Sequence, residues 1–120
     1  MSRFGLALAA IGVAGALLVP ASVQATPQAG KLAGTVGPGF TITLKSGGKT
    51  VKTLKAGAYT ITVKDLANNH NFHIKGPGVN KDSGVAAKGT KIWKVTLKKG
   101  TYRYVCDPHP TSMKGSFKVT

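Results

Sequence analysis

The chain has 120 residues, with 17 Lys and Arg against three acids, for a formal net charge of +14. One cysteine excludes an internal disulfide framework and any four-cysteine metal site. Three scattered aspartates and no glutamate offer no paired carboxylates for hydrolysis, and a charged fraction of 17% is too low for a disordered polyelectrolyte.

The first element is a leader. Met1-Ser2-Arg3 gives a positive start, Phe4 to Val19 is an apolar run, Pro20 breaks it, and Val23-Gln24-Ala25 offers small residues to a signal peptidase. Cleavage is expected after Ala25, with residues 1–25 as signal peptide and 26–120 as one mature domain of charge +13 once Arg3 is lost. The apolar run falls short of the roughly 20 residues of a spanning helix. No cysteine near the cut offers a lipid anchor. The mature protein is therefore expected in the periplasm or outside the cell, with no stable membrane insertion.

After a loose lead-in over residues 26 to about 31, period-2 alternation recurs along the chain. It runs through Phe40/Ile42/Leu44, Tyr59/Ile61/Val63, Phe72/Ile74, Trp93/Val95/Leu97, Tyr102/Tyr104/Cys106 and Phe117/Val119. Turn signals such as Ser46-Gly47-Gly48, Gly76-Pro77-Gly78 and Lys99-Gly100 punctuate it. The pattern predicts an all-β fold, an antiparallel β-sandwich, with Gly76 to Gly89 as a crossing loop. Trp93 reads as a core anchor because it shares a face with Val95 and Leu97.

A free thiol in an oxidising compartment requires burial, an intermolecular partner or a metal. Cys106 closes a strand, His109 follows in a proline-bounded loop, and Met113 precedes the next strand. Thiolate, imidazole and thioether together select copper, and a second imidazole would complete a trigonal set with an axial methionine. His70 and His73 both lie upstream. If Phe72 and Ile74 face the core along a strand, His70 points inward and His73 outward with Lys75. Each residue also has a plain alternative. A buried cysteine, a core methionine and a loop histidine are individually common; their joint spacing is what favours copper.

This arrangement resembles the cupredoxins, of the plastocyanin and amicyanin kind. The resemblance rests on His70-Asn71, Gly100-Thr101-Tyr102, Cys106-x-Pro108-His109 and Met113 with its following glycine-containing turn. It implies a Greek-key sandwich with one type 1 copper held by His70, Cys106, His109 and Met113. It also implies that Asn71 bonds across to the cysteine loop, where Asp107 stands at a position many members give to Ser or Thr, and that His109 passes electrons at the solvent edge. Tyr102 resembles the tyrosine corner of Greek-key sandwiches. His73 is expected to be a solvated or sheet-surface side chain.

The function implied is single-electron transfer, with no catalysis on a substrate. A copper-handling protein on the same fold, sequestering or delivering Cu(I), is the alternative, and a metal-free interaction module is a third. The charge suggests acidic redox proteins as donor and acceptor at the His109 end, with Lys75 and Lys114 as candidate contacts. Weak attraction to an anionic surface is a lesser expectation. Nucleic acid is disfavoured by export and by aromatics that mostly sit on inward positions, leaving no stacking platform. A monomer is expected.

Overall fold

Strand formation follows the two-residue period, and the longer strands each bury one face. The computed structural model describes residues 30–120. The leader, its cut after Ala25 and the lead-in up to residue 29 lie outside the described residues. Ten strands form: β1 (Gly30–Val36), β2 (Ile42–Ser46), β3 (Lys49–Thr50), β4 (Thr53–Leu54), β5 (Gly57–Asp65), β6 (His73–Gly76), β7 (Val79–Asp82), β8 (Gly89–Leu97), β9 (Gly100–Val105) and β10 (Lys114–Val119). They make two five-stranded sheets, ordered β3-β2-β1-β5-β8 and β4-β10-β9-β6-β7. The chain crosses to the second sheet for β4, for β6 and β7, and again for β9 and β10, returning to the first for β5 and β8, and the expected Greek-key sandwich is present. Most pairs are antiparallel. The β1–β5 and β4–β10 pairs are parallel.

Between the sheets, Leu32, Val36, Leu44, Ile61, Val63 and Leu97 meet Phe72, Ile74, Tyr102, Tyr104, Phe117 and Val119, all buried. Burying each aliphatic or phenyl side chain of this size contributes about 1.5–3 kcal/mol. Phe72 stacks on Tyr104 at 5.5 Å and Tyr102 on Phe117 at 5.3 Å. The Tyr102 hydroxyl donates to the Pro77 carbonyl at 2.7 Å and accepts the Lys98 N–H at 2.9 Å. This second bond, four residues back along the chain, is the tyrosine corner expected from the sequence.

The structure corrects four expectations. Strand β1 begins at Gly30, inside the span read as a loose lead-in, because Leu32 and Val36 alternate inward with Gly34. The Gly76–Gly89 stretch is not one loop: β7 pairs with β6 as a hairpin, with only Val79 buried to signal it. Phe40 is not a core residue. It precedes β2 and is 65% exposed. Trp93 is only half-buried at the core's margin, 6.4 Å from Phe72.

Candidate metal centre

The site is assembled at one end of the sandwich from two connections. The first runs from β5 to β6. Asp65, buried at the end of β5, accepts the Ala67 N–H at 3.2 Å and the Ser83 hydroxyl at 3.2 Å. Ser83 Oγ in turn accepts the Phe72 N–H at 2.8 Å. These bonds fix the segment that carries His70. The second connection joins β9 to β10 through residues 106–113, closed on itself by backbone bonds. The Cys106 N–H donates to Met113 O at 2.9 Å, His109 N–H to Cys106 O at 3.0 Å, and Met113 N–H to His109 O at 2.9 Å.

These connections bring three donor atoms together. His70 Nδ1 lies 3.2 Å from His109 Nδ1, and Cys106 Sγ lies 3.6 Å from the first and 3.7 Å from the second. Edges of that length put a point equidistant from all three at about 2.0 Å from each, close to the ~2.0–2.3 Å that imidazole and thiolate ligands take around a zinc-sized ion. His70 and Cys106 are buried and His109 is half-buried. Met113 is buried and tied by its backbone to both Cys106 and His109. The chemistry of the donor set fits a soft one-electron metal.

Asn71 locks the two connections together. Its side-chain oxygen accepts the Asp107 N–H at 2.7 Å, and its amide donates to Asp107 Oδ2 at 2.7 Å and Asp82 Oδ1 at 2.8 Å. The expected cross-loop bond is therefore made, with Asp107 as the partner. His73 is on the sheet surface but is not solvated. Its Nδ1 meets Asp107 Oδ2 at 2.8 Å and its Nε2 meets Asn80 Oδ1 at 2.7 Å. Burial pushes the Asp107 carboxyl up, but the hydrogen bonds from Asn71 and His73 and the positive charge of His73 and Lys75 outweigh it, leaving the pKa lowered.

His70 points into the site as expected, but strand alternation is not the reason. Residues 70–72 precede β6, and His70, Asn71 and Phe72 are all buried in succession. Two contributors escaped the sequence reading. Phe40 covers the site, its ring edge-on to His109 at 4.9 Å and to His70 at 5.5 Å. Gly37 lies against His70. With φ at +73° and a would-be Cβ 3.3 Å from His70 Cδ2 and 3.0 Å from the Ala67 Cβ, any side chain there would be strained and crowded against His70.

A two-sheet sandwich with two imidazoles and one thiolate converging at its end defines a small copper protein. Residues 40–120 match the family described as "Copper binding proteins, plastocyanin/azurin family". The chain belongs to that family, the cupredoxins, and copper is its cofactor. It is 41% identical over 69 residues to amicyanin-alpha of Methylorubrum extorquens, covering 55% of this chain and 57% of the relative's length. Its fold is similar to that of reduced rusticyanin, at 23% identity and a TM-score of 0.54 over 75% of this chain and 78% of that one. Rusticyanin from Thiobacillus ferrooxidans gives 23% identity and a TM-score of 0.51, covering 75% and 76%.

Proposed function

We propose that the chain is an exported carrier of single electrons whose copper would be held by His70, Cys106, His109 and Met113. The observation that carries this is the largely buried triangle of Nδ1, Nδ1 and Sγ atoms, already spaced for one small ion. Copper supplies the Cu(I)/Cu(II) couple. The protein's part is to keep the ligands still between the two states. The closed loop of residues 106–113 holds Cys106, His109 and Met113, Asn71 clamps that loop to the His70 segment, and Phe40 limits water at the histidines. A ligand set that moves little on oxidation needs little reorganisation. That property serves fast electron exchange, and nothing is turned over.

His109, the least buried of the three donors, is the exit toward partners. Those partners are acidic redox proteins, attracted by the basic surface, with at most weak attraction to anionic membranes, and the carrier works as a monomer. Voltammetry of the copper-loaded mature protein tests the reading. A reversible one-electron wave with fast self-exchange is expected. An irreversible wave, with Cu(I) passing one way to an acceptor, would mean copper delivery instead.

A further inference from the structure

A second feature stands beside the metal centre, on the outer face of the β10-β9-β6 sheet. A groove of about 760 Å³ runs across these strands, lined by Lys75, Arg103, Lys114, Thr101 and Ser116, with Pro110 of the ligand loop on its margin. Lys75 stands directly opposite Arg103 in the β6–β9 register, and Lys114 lies one strand further, opposite Val105. Like charges facing each other across a strand pair are destabilising. No carboxylate lines the groove, and the one acid near enough to feel the charge of Lys75 is Asp107, outside it. Asp65 is buried among Ala67 and Ser83, Asp82 is bonded to Asn71 and Gly84, and Asp107 to Asn71 and His73. Among the described residues the one ion pair is His73–Asp107, so no described lysine or arginine has a carboxylate within contact distance.

We propose that this groove receives an acidic segment of the electron-transfer partner, an extended stretch whose carboxylates meet Lys75, Arg103 and Lys114. The proposal rests on the carrier reading given above. The three cations lie across two strand spacings, with Lys114 two residues along from the Lys75–Arg103 row, and so span about 12 Å, wider than one phosphate or carboxylate but about the length of three to four extended residues. Arg103 offers the fork that takes a carboxylate through two parallel bonds, and Thr101 and Ser116 add hydroxyls for the segment's backbone or side chains. A flat anionic surface would instead suit the outer face of the other sheet, where Lys31 and Lys94 flank Thr60 in a level row. A segment lying in the groove touches Pro110, next to His109, and so brings its owner to the electron exit.

The test is a titration of the Cu(I) protein with a hexaglutamate peptide at low salt, followed by amide NMR shifts. Saturating shifts at residues 75, 101, 103 and 114–116 are expected. The pair Lys75→Gln/Arg103→Gln should weaken binding at least tenfold, while Lys31→Gln/Lys94→Gln, which removes the same charge from the other sheet, changes it less than twofold. Equal weakening by both pairs, or shifts centred on the Lys31–Lys94 face, would overturn the groove assignment. Voltammetry of the same samples separates the two readings. A reversible copper wave with no groove binding defeats the groove alone, whereas an irreversible wave defeats the carrier.

Discussion

His70 and His73 sit three residues apart and present their ring nitrogens to different partners. His70 is buried with Nδ1 aimed at Cys106 and His109, whereas both ring nitrogens of His73 are engaged by Asp107 and Asn80. His70→Ala should therefore abolish the blue charge-transfer band of the copper-loaded protein. His73→Ala should leave the band's position nearly unchanged, because it removes a support of Asp107 and no donor atom. Visible spectra of the two variants decide this, and a lost band in His73→Ala with a retained one in His70→Ala would reverse the assignment. The histidine that turns toward Cys106 and His109 was legible in the sequence, through the His70-Asn71 pair. The physical ground, burial of three consecutive side chains before β6, was not, since alternation assumes a strand that starts only at His73. Phe40 was misread for a related reason. An aromatic in step with Ile42 and Leu44 looks like core, and nothing local reveals that β2 starts two residues later.

Among the elements, β5 matters most to the site because its last residue anchors the next connection. Asp65→Ala would strip the partners from the Ala67 N–H and the Ser83 hydroxyl in a buried setting. Each such orphaned group costs about 1–3 kcal/mol, so a fall of about 2–6 kcal/mol in unfolding free energy by denaturant titration is expected. A variant as stable as the parent would show that the bonds do not hold the segment. Tyr104 of β9 gives a pH signature. Burial pushes its phenol pKa up, with a backbone bond to Leu44 opposing it, so the folded state resists ionisation that the unfolded chain undergoes near pH ~10. Its contribution to stability is intact below that value and is lost as the pH rises toward the raised folded value. The decline in stability above pH ~10 should be shallower in Tyr104→Phe; an identical decline would remove Tyr104 as its source. The central strands were legible because Tyr59/Ile61/Val63 and Tyr102/Tyr104 alternate over several residues. Strand β1, with Gly34 as one inward residue, and β7, with one buried side chain, lack that signal. The parallel β1–β5 pairing is a long-range choice that no local pattern encodes.

At the scale of the whole molecule, charge and metal centre divide the work. The sandwich places the ligands at one end while lysines occupy outward positions on both sheets, so the field extends well beyond the site. The bimolecular rate of electron transfer to an acidic redox protein should fall steeply with added salt, as the screening length shrinks to about 3 Å near 1 M. A rate indifferent to salt would leave the lysines as a solubilising coat. The most direct measurement of the central claim is the visible spectrum of the mature protein after addition of one equivalent of Cu(II). The triangle of Nδ1, Nδ1 and Sγ atoms predicts an intense blue band in the parent and none in Cys106→Ser, since a hydroxyl cannot replace the thiolate. A parent that stays colourless, or an intense band that survives in Cys106→Ser, would contradict the account.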